Sequence, residues 1–206
     1  MKRRSFLAAG AAAATLPRFA IAQSANARVL RFVPQANLTV LDPILTTAAV
    51  TANHGWMVWD TLFGLTSSQE VKPQMAEGFT VSDDGRTYLI KLRDGLKFHD
   101  GEPVLARDCA ASLARWAARD TLGQTLSKVV DSWGSADDRT VKVTLKKPFS
   151  LLIEALAKSD AQVPFIMPER VAKTDPFKTI TEIVWSGPFR FLKDEYVSGS
   201  SAVWAK

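Results

Sequence analysis

The chain has 206 residues, 47% of them apolar, 9% aromatic and 23% charged. Those proportions exclude collagen-like, coiled-coil and broadly disordered classes and leave room for one or two compact domains. The formal charge of +5 points to an anionic partner only until the leader is set aside, because four of the 26 Lys and Arg lie in residues 1–22 with no acid beside them. The remainder is close to neutral, so nucleic-acid binding loses its electrostatic support.

Residues 1–22 have the build of an export leader. Lys2-Arg3-Arg4 forms a basic start, Phe6–Leu16 a short run rich in Ala and Leu, and Ala20-Ile21-Ala22 a small-residue cleavage site before Gln23. The run is shorter than the roughly 20 residues of a bilayer span, so no retained membrane anchor is expected. Arg3-Arg4-Ser5-Phe6-Leu7 resembles the twin-arginine motif, an address for the route that exports folded proteins, although Lys2 stands where Ser or Thr usually leads. The alternative is an ordinary secretory leader that happens to hold two arginines. On either reading the mature chain leaves the cytoplasm. Cys109 is the only cysteine, so no internal disulfide is available.

Beyond the leader, Val29–Val33 reads as a strand. Asp42-Pro43 breaks the backbone, since a residue before proline is pushed out of helical geometry. From Ala48 to Leu62, Val50, His54, Met57, Val58 and Leu62 recur at helical spacing, which predicts an amphipathic helix. Phe79 and Val81 alternate with polar neighbours, Asp83-Asp84-Gly85 supplies a turn, and Tyr88, Ile90 and Leu92 continue on one face: a hairpin. A second turn at His99-Asp100-Gly101 leads through Pro103 into a helix over Leu105–Arg119. Leu105, Cys109, Leu113 and Trp116 form its inner stripe, and Arg107, Ala111, Arg115 and Arg119 its opposite face. Cys109 then reads as a small buried hydrophobe, with no activating base nearby. Asp137-Asp138-Arg139 turns into a strand carrying Val141, Val143 and Leu145. Phe149–Ala157 reads as a short helix, Met167-Pro168-Glu169 starts another, and Phe189 and Phe191 open a last hairpin.

Several of these segments are recognisable together. Met75-Ala76-Glu77-Gly78-Phe79, Asp83-Asp84-Gly85-Arg86-Thr87-Tyr88 and the run from Leu92-Arg93-Asp94-Gly95 through His99-Asp100-Gly101-Glu102-Pro103-Val104 resemble the signature of the family-5 solute-binding proteins. These are the peptide-, nickel- and opine-binding receptors of bacterial ABC importers. Leu41-Asp42-Pro43, Ser112-Leu113-Ala114-Arg115 and Ser186-Gly187-Pro188-Phe189-Arg190-Phe191 extend the likeness over residues 28–206. Two departures stand out: Leu105 occupies a position where the family usually has a Thr N-cap, and Cys109 replaces an aliphatic residue. The resemblance implies a mixed α/β (α+β) fold of the class II periplasmic-binding-protein type, a clamshell of which this chain supplies the first lobe only. Its parts would be a leader at 1–22, the first part of the large lobe at 23–60, an inserted subdomain at 61–158 and a return segment at 159–206. The second lobe is expected to be missing, through truncation or a break in the reading frame.

The resemblance further implies a monomeric periplasmic receptor without cofactor, metal or catalytic residues. It would hold a small solute, oligopeptide-like, between two lobes and deliver it to the permease subunits of an ABC importer. Candidate ligand contacts are Thr46, Thr47 and Ala48, where relatives run extended backbone beside the ligand. Asn53, His54 and Trp56 on the next helix and Trp185 on the returning strand complete the set. Each also suits a structural role: helix-start hydroxyls for the threonines, a core imidazole for His54, packing for the two tryptophans. Two readings compete. One is a remnant lobe that cannot close on ligand. The other is an exported hydrolase built on His99-Asp100 or Cys109, which no Gly-x-Ser-x-Gly elbow or carboxylate pair supports. With His54, His99 and Cys109 alone, a zinc cage has too few ligands.

Overall fold

The computed structural model describes residues 28–206, so the expected leader at 1–22 lies outside the described residues. The chain divides into a unit ending at Val33 and a second unit spanning Pro34–Lys206. In the first, the strand expected over Val29–Val33 does not form. Val29, Leu30, Phe32 and Val33 are 61–93% exposed and enter no ladder. Alternation alone does not make a strand, whose N–H and C=O groups need a neighbouring strand to be satisfied.

Within Pro34–Lys206 the order is α1 (Ala49–Val58), β1 (Phe63–Leu65), β2 (Val71–Pro73), β3 (Ala76–Val81), β4 (Thr87–Leu92), α2 (Ala106–Arg119) and α3 (Thr121–Ser127). There follow β5 (Val130–Asp137), β6 (Thr140–Leu145), α4 (Leu152–Leu156), α5 (Glu169–Ala172), β7 (Arg190–Phe191), a single 3₁₀ turn and β8 (Trp204–Ala205). A four-stranded sheet in the order β3-β4-β6-β5 is the largest layer, with two-stranded ribbons β1-β2 and β7-β8 beside it, and every pairing is antiparallel.

The expected hairpin forms with Val81 opposite Tyr88 and Phe79 opposite Ile90. Gly85 closes its turn at φ 66°, a conformation that costs a side chain bearing Cβ about 1 kcal/mol or more. Tyr88, Ile90 and Leu92 are buried, whereas Phe79 and Val81 remain over 40% exposed because β3 is an edge strand. Gly, Ser and Asp within β5 hid it from a propensity reading. It is held to β6 with register shifts near Val130 and Ser135, where the extra residues of bulges sit.

Helix α1 stops at Val58, one turn short of the expected Leu62. Trp59 is extended (φ −123°, ψ 159°), and Asp60 forms an antiparallel bridge with Ile166. The carbonyls of Met57 and Val58 accept hydrogen bonds from Phe189 and Gly187 of the returning segment rather than from further helix. That exchange satisfies the orphan carbonyls at the helix end and draws the next residues into strand geometry.

Helix α2 carries two buried stripes. Cys109, Leu113 and Trp116 pack into the core as expected, but Arg115, assigned to the outer face by its charge, is 4% exposed. The periodicity reading failed there because a guanidinium can be buried when a carboxylate and carbonyls receive its donors, here in four hydrogen bonds. Leu105 offers no cap acceptor, and the helix start is stabilised instead by Asp108, whose Oδ2 accepts from Leu105 N–H at 2.8 Å. Asp120 caps α3 by accepting from Leu122 and Gly123 N–H, both at 3.0 Å, and also pairs with Lys158.

Two apolar clusters result. The larger gathers the sheet, α2 and α4, from Leu62 to Ala157, with Ile44, Ile166 and Val184 joining it. The smaller collects Val58, Trp59, Val163, Phe165, Met167, Val171, Ala172, Ile180 and Phe191. Among the described residues no helix is long and apolar enough to cross a membrane.

Candidate functional site

Helix α1 turns Val50, Thr51, His54, Gly55 and Val58 inward and leaves Ala49 and Asn53, one turn apart, exposed. The loop before it begins at Asp42, which is fully buried. Asp42 Oδ1 accepts from Arg115 Nη1 at 3.2 Å and from Ile44 N–H at 3.3 Å, while Oδ2 accepts from Arg115 Nη2 at 2.8 Å and Ile180 N–H at 3.0 Å. Gln162 Nε2 donates to the carbonyl of Ile44 at 2.6 Å, and Thr51 Oγ1 donates to Val40 O at 2.8 Å. The loop base is therefore pinned on both sides, and Thr47, Ala48 and Ala49 emerge exposed from it.

Thr46 Oγ1 accepts from Ala48 N–H at 3.1 Å, the helix-start role. Thr47, Ala48 and Asn53 are exposed and present a hydroxyl, a small apolar surface and an amide to solvent. Trp56 is half-buried: its ring meets Phe165 edge-on at 5.1 Å, and Nε1 donates to Ser159 O at 3.2 Å. His54 differs in kind. It is 1% exposed, ringed by Trp59, Phe191 and Trp204 at 5.0–5.9 Å, and its Nδ1 accepts from Trp204 Nε1 at 3.2 Å. Desolvation in that aromatic box lowers its pKa from 6.5 to about 4, so it is neutral at pH 7.

Trp185 lies half-buried between His99 and Phe191, at 6.0 and 6.5 Å, and its indole N–H is buried without a partner. Phe191 thus lies beside both His54 and Trp185, linking helix α1 to the returning segment. Gly187 seats that segment. A Cβ there would meet Val58 C and Trp59 N at 2.7 Å, so the backbones pass closer than any side chain allows.

The described residues match the model of the "Bacterial extracellular solute-binding proteins, family 5 Middle" over residues 70–206. The chain belongs to this family. A probable peptide ABC transporter periplasmic-binding protein of Sinorhizobium fredii is 42% identical over 95% of this chain and 36% of its own length. The glutathione-binding protein of Escherichia coli K12 is 39% identical over 59% of the chain and 24% of its length. Among solved structures, HbpA2 of Haemophilus parasuis (25% identity, TM-score 0.61) covers 80% of this chain and 36% of that one. NikA of Brucella suis, solved with Fe(III)-EDTA (21% identity, TM-score 0.67), covers 82% and 34% and bears on the fold alone. The family-5 chain spans about a third of the length of the Sinorhizobium fredii relative. These likenesses carry the class II periplasmic-binding-protein fold, with coverage that fits its first lobe.

In this family-5 chain the residues named for hydrolysis stand apart. His99 Nε2 lies 2.9 Å from Gly187 O, and Asp100 pairs with Arg170 at 2.6 Å, so the two side chains serve different partners. Cys109 is wholly buried, and burial pushes its thiol well above the usual range, away from the thiolate a nucleophile needs. Among the described residues no group of three metal-binding side chains converges. Two surface cavities of about 420–430 Å³ lie elsewhere, one between the His99 turn and Pro168, the other over Phe79 and Leu89. Sequence reading missed the residues that hold the loop base and the returning segment, namely Asp42, Arg115, Gln162 and Gly187. Three of them fall in segments that carried the family resemblance; Gln162, in an unremarkable stretch, gave no signal.

Proposed function

We propose that this chain contributes one wall of a solute-binding cleft in the substrate-binding component of an ABC importer, taking an oligopeptide-like ligand and handing it to permease subunits. Family membership carries that reading, and the presented face of Thr47, Ala48 and Asn53 beside half-buried Trp56 supports it. Exposed backbone with neighbouring hydroxyl and amide groups suits peptide recognition, and tryptophan edges supply apolar surface at low entropic cost. Thr46 and His54 act within that wall by shaping it, the first through the helix start and the second through the aromatic box. Trp185, half-buried between His99 and Phe191, supplies apolar ring surface, while its indole N–H is turned into the protein. The peptide and glutathione named in the relatives make those two classes the ligands to try first. The receptor works as a monomer, without enzymatic activity, and is exported to the periplasm by the twin-arginine route. Changing Arg3-Arg4 to Lys-Lys blocks export if that route is used.

The deciding experiment is a titration of the isotopically labelled chain with reduced glutathione and with di- to pentapeptides up to millimolar concentration. Weak contacts suffice for detection, since one wall leaves a ligand largely hydrated. The expected shifts fall on the amides of residues 46–53 and the indole signals of Trp56 and Trp185, with Trp116 and Trp133 unmoved. Shifts confined to the β3–β6 sheet, or none, would sink the proposal.

A further inference from the structure

Helix α2 does more than fill the core. Its polar stripe of Asp108, Ser112 and Arg115 faces the segment 167–180: Asp108 accepts from Glu169 N–H at 2.7 Å, Ser112 accepts from Met167 N–H at 3.0 Å, and Arg115 donates to Thr174 O and Lys178 O at 3.1 and 3.0 Å. Arg115 alone reaches past that segment to Asp42, at the root of the loop bearing Thr46–Ala48. The pair is almost fully withdrawn from water, with side-chain exposures of 2% and 0%.

We propose that Arg115 is a positioning residue for ligand: through Asp42 it fixes the Ile44–Ala48 backbone against the returning segment. This inference rests on the reading of that loop as a ligand wall. Stability alone does not require such a pair, since a buried ion pair replaced by apolar groups of similar volume is often neutral or stabilising. What apolar groups cannot do is hold directional bonds. Asp42 ties Ile44 N–H and Ile180 N–H through one carboxylate, and Arg115 ties two carbonyls of the 174–178 turn to the same point. A second restraint comes from the neighbouring residue of α2. Trp116 Nε1 donates to Gln162 O at 2.8 Å, and Gln162 Nε2 in turn holds the Ile44 carbonyl. Ile44 is thus gripped at both its N–H and its C=O, two residues before Thr46. Thr51 closes the loop base on Val40, so displacement of Ile44 is passed to the exposed residues between.

The test uses Arg115→Lys, which keeps the charge but loses the bidentate fork, and Gln162→Met, which cuts only the side-chain bond to Ile44. Amide hydrogen exchange on the full chain should rise at least tenfold at Ile44, Leu45 and Ile180 in Arg115→Lys, with Tyr88, Ile90 and Leu92 of β4 within twofold of the parent. Gln162→Met should raise Ile44 and Leu45 alone. Affinity for reduced glutathione, used as the probe, should fall at least fivefold in both variants at unchanged midpoint of sheet unfolding. Acceleration spread evenly over all amides would reduce Arg115 to a general stabiliser and overturn the proposal, as would a loosened loop with unchanged glutathione affinity. If the parent itself shows no glutathione shifts, the reading of the loop as a wall for that ligand fails, while the exchange pattern still decides whether Arg115 positions it. Should Arg115→Lys not fold, the paired Arg115→Met and Asp42→Leu variant, which removes both buried charges together, carries the same comparison at Ile44, Leu45 and Ile180.

Discussion

Replacing Gly187 with Ala tests the junction between α1 and the returning segment. The new methyl carbon would sit 2.7 Å from Val58 C, 2.7 Å from Trp59 N and 3.0 Å from Trp59 O, all backbone atoms that no rotamer change can move. Relief requires the 185–189 segment to lift by roughly 1 Å, the gap to an ordinary van der Waals separation of about 3.5–4 Å. That lift strains Gly187 N–H to Val58 O at 3.0 Å, Phe189 N–H to Met57 O at 2.9 Å and His99 Nε2 to Gly187 O at 2.9 Å. Overpacking costs about 1–3 kcal/mol, and two weakened backbone hydrogen bonds add about 1 kcal/mol each. A total of about 3–5 kcal/mol lowers Tm by roughly 6–20 °C for a domain of this size. Thermal unfolding followed by tryptophan fluorescence reads it well, since Trp59 and Trp185 flank the clash. A shift under about 2 °C would show that the close approach in the structure is not real, and the account of why α1 ends at Val58 would fall with it.

Two further outcomes follow from buried titratable groups. His54 has its pKa lowered to about 4, so between that value and 6.5 the unfolded chain binds a proton that the folded chain refuses. Stability is complete above about pH 6.5 and is lost as pH falls towards 4, by up to about 3 kcal/mol. Urea unfolding of the parent and of His54→Phe at pH 7 and 4.5 checks this, because the variant should lack that share of the acid sensitivity. Equal losses in both proteins would refute it. Cys109, wholly buried with its thiol pushed up, should resist an aromatic disulfide reagent at pH 8 until the chain opens, so its labelling rate should rise with urea in step with unfolding. Complete reaction within seconds in native buffer would contradict the core placement.

What could be read in advance divides along sequence distance. The β3–β4 hairpin was legible because alternation, an Asp-Asp-Gly turn and a positive-φ glycine fall within 17 residues of one another in Ala76–Leu92. The apolar stripe of α2 was legible for the same local reason. Arg115 was not, since its partner Asp42 lies 73 residues away and charge at helical spacing ordinarily means solvent. The end of α1 was misjudged because Phe189 and Gly187, far along the chain, capture the last helical carbonyls. Val29–Val33 has strand chemistry without a ladder. Among the candidate ligand contacts, Thr47 and Ala48 were named from resemblance and Asn53 from its residue type beside His54 and Trp56, whereas the burial of His54 beneath Trp204 depends on a contact 150 residues apart.

The same distances bear on how the chain assembles. Val81 and Tyr88 meet across seven bonds of sequence, but Trp59 Nε1 finds Val184 O across 125 residues and Asp42 finds Ile180 across 138. With closure entropy growing as about (3/2)RT ln n, the long contacts cost roughly 2.5 kcal/mol more than the hairpin before any gain is returned. The β3–β4 hairpin therefore closes cheaply, whereas the Asp42 loop and the end of α1 take their anchors from far along the chain, so both are expected to consolidate after it and to open before it.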